Sequence, residues 1–272
     1  MKIVIDARSL DKISKTLMSV DRFGMIEYLG EGAEDGIRVS ASSPKESFCS
    51  VSVKRGWTES VQMEGEVGEQ VVIDLIEVKS TIQEIKGGKS DLITLESLED
   101  YVTLSAGTFS REIERKSVKV EKQIPITSAG TVKFRIGGSK IKRILNEIKN
   151  TDDTVTISLG DYSIIAKIGR EEQKMEGYGA CFWTTETDEL FVSNEPLSLA
   201  VRVPGGDFST RYFVEPLANV VGEARVAREE KMEVQFGPGT PIAFKFRIAE
   251  SVFVDYIQTA KKSSTDLGPQ TI

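Results

Sequence analysis

The side chains that could support catalysis or bind metal are few and far apart in this sequence. Two adjacent carboxylate pairs, Asp152-Asp153 and Glu171-Glu172, have the oxygen ligands that Mg²⁺ prefers, but both lie in predicted turns. The run Gly137-Gly138-Ser139-Lys140 is similar to part of a phosphate-binding loop, yet its spacing does not match GxxxxGK[ST]. We therefore interpret the carboxylates as solvated turn residues and expect no nucleotide site and no cofactor.

Histidine is absent from all 272 residues, which excludes Ser-His-Asp and Cys-His catalysis as well as every metal site that needs an imidazole ligand. The two cysteines, Cys49 and Cys181, are too few for a disulfide framework or a Cys-only zinc site. We predict that both are small buried hydrophobic residues in a reduced, intracellular protein. The composition therefore disfavours an enzyme.

The chain is long enough for one large domain or for two domains of about 130 residues each. Hydrophobic residues make up 39% of it and charged residues 28%, which is typical of a folded protein. The opening segment MKIVIDARSL is interrupted by charges and does not resemble a signal peptide. No apolar run approaches the length of a membrane span, so we expect a soluble protein.

Four segments have the periodicity of amphipathic helices: 9–22, 74–86, 139–150 and 209–222. Ser9 and Ser139 are the predicted N-caps of the first and third, and Gly87-Gly88 is the predicted end of the second. Pro216 either kinks the fourth helix or marks its true start.

Most of the remaining chain alternates apolar and polar residues, as strands do. The predicted strands include Ile37–Ala41, Phe48–Val53, Leu92–Leu95, Tyr101–Leu104, Val132–Ile136, Thr154–Leu159, Ser163–Ile168, Leu197–Val203, Lys231–Phe236 and Ala243–Ile248. The third predicted helix starts 130 residues after the first, and the fourth starts 135 after the second. These two offsets indicate an internal duplication. The intervening segment, Arg111–Gly130, is either a charged last strand followed by a connector or a solvated linker.

The net charge of −7 argues against nucleic-acid binding if it is taken as a whole. However, the windows 9–22, 74–89, 139–151 and 209–228 contain 13 Lys or Arg and 8 Asp or Glu, so they carry +5 and the remainder carries −12. This distribution is that of ordinary solvated helix faces or of a helix layer that faces a polyanion.

Several stretches resemble sliding clamps of the proliferating cell nuclear antigen (PCNA) type, with an archaeal source expected. The resemblance rests on Ala7 to Leu17 with the following Asp35-Gly36-Ile37 turn, on Asp91–Leu95, on Ile136–Ser158, and on Gly237–Tyr256. Each match is loose, but their order and spacing cover most of the chain.

The resemblance implies an α+β fold with two similar clamp-type β/α domains, antiparallel sheets outside and two helices per domain lining a ring. The implied domains are 1–115 and 131–260, with an interdomain connector over 116–130 and a flexible tail over 261–272. Three subunits would form the ring around duplex DNA. Such a clamp catalyses no reaction and is a DNA polymerase processivity factor in replication and repair.

The partners implied by the resemblance are duplex DNA, a DNA polymerase, a clamp-loading ATPase, other proteins with clamp-binding peptides, and copies or paralogues of the chain, without any membrane. The expected location is on chromosomal DNA, cytoplasmic in an archaeon and nuclear in a eukaryote. The predicted DNA-facing residues are Lys12, Lys15, Lys79, Lys86, Lys140, Lys142, Arg143, Lys149 and Arg211. The predicted partner-peptide pocket contains Ala41, Phe48, Ile124, Pro125, Ile126, Pro241, Tyr256 and Ile257.

Two departures from the family pattern keep alternatives open. Gln258-Thr259-Ala260 follows Ile257 where the family has Ala-Pro, and the fourth helix has Val214 and Ala218 where many relatives have lysine. Arg211, Arg225 and Arg228 could compensate. The alternatives are a specialised or checkpoint-type subunit of a heterotrimer and a DNA-free β-rich interaction scaffold, in which Phe48, Tyr256 and Ile257 are simply core residues.

Overall fold

The structure is a computed structural model of the whole chain. The residues that it describes are 1–30, 36–43, 47–54, 62–86, 92–120, 131–149, 153–160, 163–168, 171–175, 181–184, 189–192, 208–223, 231–237, 239–249 and 252–261.

Four helices and nineteen strands lie within these residues. The helices are α1 (Ala7–Met18), α2 (Leu75–Lys86), α3 (Gly138–Lys149) and α4 (Val214–Glu223). The strands of the first half are β1 (Lys2–Asp6), β2 (Phe23–Tyr28), β3 (Gly36–Ser43), β4 (Ser47–Lys54), β5 (Gln62–Glu64), β6 (Gln70–Asp74), β7 (Leu92–Ser97), β8 (Tyr101–Ala106) and β9 (Phe109–Glu114). Those of the second half are β10 (Thr131–Gly137), β11 (Thr154–Gly160), β12 (Ser163–Ile168), β13 (Glu171–Met175), β14 (Cys181–Thr184), β15 (Glu189–Val192), β16 (Phe208–Phe213), β17 (Lys231–Phe236), β18 (Ile242–Ala249) and β19 (Val252–Gln258).

The order of elements repeats along the chain. Each half begins with a strand that runs directly into a helix, continues through several strands to a second strand–helix pair, and ends with three strands. In the first half β6 precedes α2 and β9 is the last strand; in the second half β16 precedes α4 and β19 is the last strand. This repeated order is the structural counterpart of the duplication that the helix offsets indicate.

Contacts divide the chain into two compact units. The first contains 1–124 together with two later segments, Asn219–Ala227 and Lys245–Tyr256, and the second contains the rest. The predicted domain limits at 115, 130 and 260 remain predictions.

The first unit contains the five-stranded sheet β5-β1-β7-β8-β9 and the run of neighbours β19-β4-β3-β2-β6. The pairs among β1 to β9 are antiparallel; for example, Ala41 lies opposite Cys49 and Ile3 opposite Leu95. Alternate residues of β1, β2 and β8 are buried, as the period of two requires. Ile13 and Leu17 of α1 and Val78, Ile82 and Ile85 of α2 are buried as well, so the apolar stripes predicted for both helices face a core.

The second unit contains the sheet β13-β12-β11-β16 and the neighbours β14-β15-β10-β17. All of these pairs are antiparallel except β10 and β15, which run parallel. Ile141 and Leu145 of α3 are buried, as is Leu217 in the part of α4 that belongs to this unit. The predicted α+β class with mainly antiparallel sheets is confirmed.

Four local predictions are wrong. Glu171 and Glu172, predicted as turn residues, are the first two residues of β13. Ser9 is not the N-cap of α1, because Asp6 caps that helix and its carboxylate accepts a 2.7 Å hydrogen bond from the Ser9 amide. Ser139 lies inside α3, which begins at Gly138. Residues 209–213, predicted as the first turns of the fourth helix, belong to β16, and Pro216 lies in the first turn of α4. Pro216 therefore marks the start of the helix, where its missing N–H costs no hydrogen bond.

The predicted strand Leu197–Val203 lies outside the described residues, as do residues 121–130 of the predicted connector. None of the described helices is long and apolar enough to cross a membrane.

Candidate nucleic-acid interface and partner-binding surfaces

Helix α1 carries three cations, and two of them are engaged within the first unit. The Lys12 ammonium donates a 2.9 Å hydrogen bond to the backbone carbonyl of Ile248 on β18. The Lys15 ammonium lies 3.0 Å from Asp11 one helical turn earlier. Arg8, in the first turn, is exposed and was not among the predicted site residues. Arg8 precedes the window in which the sequence predicted this helix, so only the observed start of α1 at Ala7 identifies it as a candidate phosphate contact.

Helix α2 carries balanced charges. Lys79 is half-buried, and the helix also contains the acidic residues Glu77 and Glu84. Glu84 accepts a 2.9 Å hydrogen bond from Arg111 of β9. Lys86 ends the helix, and its side chain lies outside the described residues. This helix offers little net attraction to a phosphate.

The start of α2 is held by an ion pair. Asp74 has a fully buried side chain, and its carboxylate accepts a 2.7 Å hydrogen bond from Arg22 Nε and one of 2.9 Å from the amide of Ile76. Burial of Asp74 opposes its charged form, but the hydrogen bonds from Arg22 and the helix amides outweigh burial and lower the pKa of the carboxyl. The carboxylate therefore serves as a charged cap at the positive end of the helix.

Helix α3 is the most basic of the four. Its sequence, GSKIKRILNEIK, contains four cations and one carboxylate. Lys142 and Lys149 are exposed, while the side chains of Lys140 and Arg143 lie outside the described residues. Ile141 and Leu145 form the buried side of this helix, so it combines an apolar stripe with a basic surface.

Helix α4 lacks a basic residue. Its sequence, VEPLANVVGE, carries two carboxylates, and Val214 and Ala218 are buried. The prediction placed Arg211 on this helix, but Arg211 is an exposed residue of β16, opposite Thr156 of β11. Arg225 and Arg228 follow the end of the helix and lie outside the described residues. The positive charge predicted for the helix layer is therefore concentrated on α1 and α3, the first helices of the two halves.

Three predicted pocket residues lie within the first unit. Ala41 of β3, Phe48 of β4 and Tyr256 of β19 are all buried, with at most 5% of each side chain exposed. Burial raises the pKa of the Tyr256 hydroxyl, and the nearby Cys49 thiol adds to that effect. Cys49 is itself fully buried, which confirms its prediction as a small core residue, and burial raises the pKa of its thiol.

Two further pocket residues, Pro241 and Ile257, lie within the second unit and are both linked to β16. The hydroxyl of Thr210 donates to the carbonyl of Gly237 at 2.8 Å, and that of Tyr212 donates to the carbonyl of Thr240 at 2.9 Å, so β16 holds the turn before Pro241. Ile257 is 1% exposed near the end of β19 and precedes Gln258, whose side-chain amide donates to the Phe213 carbonyl of β16 at 3.0 Å.

Ile124, Pro125 and Ile126 lie outside the described residues, so the connector side of the predicted pocket has no described geometry. The described residues also contain no cluster of three or more acidic or Cys side chains that could hold a metal ion.

Two strands leave long edges among the described residues. β9, with six residues, ends the five-stranded sheet, and β13, with five, ends the four-stranded sheet. The other edges that the sheet order leaves are shorter, as in β5 and β14, or accept hydrogen bonds from a following segment, as in β6 and β16. An open strand edge is a template for pairing with another chain.

The chain matches no protein-family model and no curated protein. It is similar in structure to solved sliding clamps. A. fulgidus PCNA, solved with the C-terminal region of FEN-1 bound, shares 14% identity at a TM-score of 0.69. The match covers 97% of this chain and 99% of the A. fulgidus chain. The PCNA2–PCNA3 complex of Sulfolobus tokodaii shares 18% identity at a TM-score of 0.67. PCNA of Thermococcus kodakaraensis shares 15% identity at a TM-score of 0.69. Each of these two matches covers 96% of this chain and 99% of the other chain. The chain therefore has the PCNA clamp fold along nearly its full length.

Proposed function

We propose that the chain is a subunit of a DNA sliding clamp, a processivity factor that encircles duplex DNA and tethers a polymerase and other replication and repair proteins. The observation that carries the proposal is the full-length likeness to three PCNA clamps. The clamp fold encloses DNA rather than reading it, so low identity is compatible with a retained role as long as ring geometry and charge distribution are kept.

The DNA contact in this proposal is electrostatic. Helices α1 and α3 present Arg8, Lys142 and Lys149 as exposed cations, and such cations bind phosphates without reading base edges. The nine residues predicted to face DNA, of which Lys12 is the first and Arg211 the last in the sequence, are kept as a proposal. Helices α1 and α3 are the main contributors. Weak, exchangeable contacts of this kind permit sliding, and the acidic remainder of the chain disfavours DNA binding elsewhere.

The ring in this proposal is closed by strand pairing. The open edges of β9 and β13 belong to different halves of the chain, so pairing of one with the other would join subunits head to tail. A head-to-tail contact generates a closed ring when its rotation closes, and three subunits would close it here. The PCNA2–PCNA3 complex is made of different chains, so paralogues are possible neighbours as well as identical copies.

The proposed partner site is the predicted pocket of connector and terminal residues. One of the similar clamps was solved with the C-terminal region of FEN-1, so a peptide of that kind is a suitable probe. We propose no catalytic activity, and we place the protein with chromosomal DNA. A clamp-loading ATPase would open the ring.

The deciding experiment combines particle size with DNA topology. The purified chain is sized by light scattering, then tested for retention on a nicked circular plasmid and on the same plasmid after linearisation. A trimer retained on circles and lost from linear ends supports the clamp. Equal retention on both forms, or none on either by a trimer, contradicts it.

One observation favours a second version of the same role. Helix α4 carries two carboxylates and no cation, so this subunit contributes an uneven positive surface. A subunit that works only beside a different, more basic chain would remain a monomer alone and form the ring on mixing with that paralogue. A monomer that binds client peptides but never DNA, with or without paralogues, would instead be an interaction scaffold.

A further inference from the structure

The outer edge of β6 is covered by the residues that follow β9. The amide of Lys116 donates a 2.9 Å hydrogen bond to the carbonyl of Val72, and the Arg115 guanidinium donates to the carbonyl of Gln70 at 3.2 Å. Gln70 and Val72 are two residues apart, so their carbonyls point to the same side of the strand, away from β2. Two consecutive outward acceptors of this edge are therefore occupied.

Arg115 is also fixed from the opposite side. Its Nη1 donates to the carbonyls of Leu98 at 2.9 Å and Glu99 at 3.0 Å, and its backbone amide donates to the carbonyl of Asp100 at 3.0 Å. One planar guanidinium thus joins the turn between β7 and β8 to the edge of β6, which a lysine ammonium with a single point of charge could not do as well.

The outer edge of β16 is covered by the last residue of β19 and the residues that follow it, entirely within the second unit. The amide of Lys261 donates a 2.8 Å hydrogen bond to the carbonyl of Arg211, and the Gln258 side-chain amide donates to the carbonyl of Phe213 at 3.0 Å. The Lys261 ammonium also lies 4.8 Å from the centre of the Phe213 ring. Again two alternate outward carbonyls accept one backbone donor and one side-chain donor.

The two arrangements occupy equivalent places in the repeated order of elements. β6 and β16 each precede the second helix of a half, and β9 and β19 are the last strands of the same halves. We propose that the exit segments 115–116 and 258–261 are edge caps, held by Arg115 and Gln258, which close β6 and β16 to other strands. Each half thereby closes one of its long edges with its own chain.

This inference goes beyond the sliding-clamp role and does not depend on DNA binding. An uncovered edge of five or six residues would compete with β9 and β13 for strand partners. The caps confine strand pairing between chains to the remaining edges, and the residues that provide them, Arg115 and Gln258, have no recognisable sequence pattern.

The first test uses Arg115→Ala, with Lys119→Ala as its matched control, because Lys119 is an exposed cation four residues later that makes none of these hydrogen bonds. Amide hydrogen exchange is followed at Lys116 by NMR. We expect exchange about tenfold faster in Arg115→Ala and unchanged in the control. Arg115→Lys keeps the positive charge but loses the planar guanidinium, so its exchange rate at the Lys116 amide should lie between those of the wild type and Arg115→Ala. The same variant replaces Arg115→Ala in the test if the alanine variant folds poorly.

The second test uses Gln258→Glu, which replaces the donor to Phe213 by a carboxylate of the same shape. Lys261→Ala is its control, because that change removes the ring contact but keeps the backbone amide. We expect exchange about tenfold faster at the Lys261 amide in Gln258→Glu and at most a small increase in the control.

Light scattering over a range of concentrations provides the second readout. Arg115→Ala and Gln258→Glu should each form assemblies larger than those of the wild type, growing with concentration, while both controls match the wild type. Unchanged exchange at the two amides, or faster exchange without added association, would overturn the edge-cap proposal. If the wild type fails on circular DNA while these responses appear, the clamp role is lost and the edge caps remain.

Discussion

The side-chain ammonium of Lys12 on α1 donates a 2.9 Å hydrogen bond to the backbone carbonyl of Ile248, which lies 236 residues later on β18. Both residues belong to the first unit, so this contact joins the first helix of the chain to one of its last strands. A residue that the family resemblance implies as a DNA contact thus has a structural partner of its own.

We expect Lys12→Ala to lower the free energy of unfolding by about 1–2 kcal/mol, because a hydrogen bond from a charged donor is lost. Arg8→Ala, which removes an exposed cation from the same helix, should change it by less than about 0.5 kcal/mol. Urea unfolding followed by circular dichroism measures both values. Equal effects of the two changes would show that the Lys12 contact adds no stability.

The buried Asp74 carboxylate should make stability depend on pH in the acid range. Its folded pKa is lowered, so its contribution is complete above the unfolded value of about 3.9 and is lost as the pH falls through the lower folded value. Asp74→Asn should therefore cost about 2–3 kcal/mol at pH 7 and progressively less below about pH 4. Urea unfolding at a series of pH values tests this, with Asp100→Asn, an exposed carboxylate, as the control. A difference that stays constant down to pH 2.5 would contradict the assignment.

The charge difference between α3 and α4 should be measurable in DNA binding. Lys142→Ala and Lys149→Ala should each reduce the slope of log K against log salt by about 1, because each removes one phosphate contact. Glu215→Lys on α4 should increase it, since that helix has no cation to begin with. Glu96→Lys, on strand β7, is the control and should leave the slope unchanged. An equal response to Glu215→Lys and Glu96→Lys would mean that α4 does not face the duplex.

Two glycine substitutions should change stability in opposite directions. A Cβ at Gly24 of β2 would lie 2.9 Å from Leu75 Cδ2, and Leu75 is only 2% exposed, so it has little room to move. Gly24→Ala should therefore destabilise the protein by about 1–3 kcal/mol. A Cβ at Gly222 of α4 meets nothing within 4 Å, so Gly222→Ala should stabilise it by about 0.5–1 kcal/mol. Thermal unfolding of both variants checks the signs, and a Gly24→Ala variant as stable as the wild type would contradict the steric clash with Leu75.

Helix content was the most predictable feature of the fold. The stripes of α1, α2 and α3 follow directly from spacings of three and four, and their predicted limits differ from the observed ones by a few residues. The cap of α1 was less predictable because both Asp6 and Ser9 are good cap residues. In the structure Asp6 is the cap, and the backbone amide of Ser9, the other candidate, donates the capping hydrogen bond to its carboxylate. Sequence alone does not decide which of two such neighbours starts the helix.

The fourth helix shows where local patterns fail. Tyr212 and Phe213 fit an apolar helix stripe, but Tyr212 is buried and Phe213 exposed, which is the alternation of a strand. A short segment that satisfies both periods is decided by its sheet neighbours, here β11, and these are distant in sequence. Arg211 was therefore predicted in the fourth helix but lies in strand β16. Within the described residues, no other cation was predicted on that helix.

The candidate site was predictable in its residue types and less so in its contacts. The excess of lysine on the first and third helices was visible in the sequence, whereas the hydrogen bond between Lys12 and Ile248 depends on long-range packing. The hydrogen bonds of Arg115 and Gln258 were not predictable, because each side chain donates to a backbone carbonyl and the carbonyls of edge strands leave no trace in the sequence. Their positions, at or just after the end of the last strand of each half, are the signal that a search for edge caps would use.

The return of Lys245–Tyr256 to the first unit has a consequence for synthesis of the protein. β19 neighbours β4, which ends at Lys54, so that side of β4 has no strand partner until the last strands have been translated. At a ribosomal rate of about 5–20 residues per second, the delay is roughly 10–40 s. During that interval the nascent chain presents an unpaired edge to chaperones and to neighbouring nascent chains. A premature stop before β19 would make the exposure permanent, so truncated products should be cleared or aggregate rather than accumulate as folded half-chains.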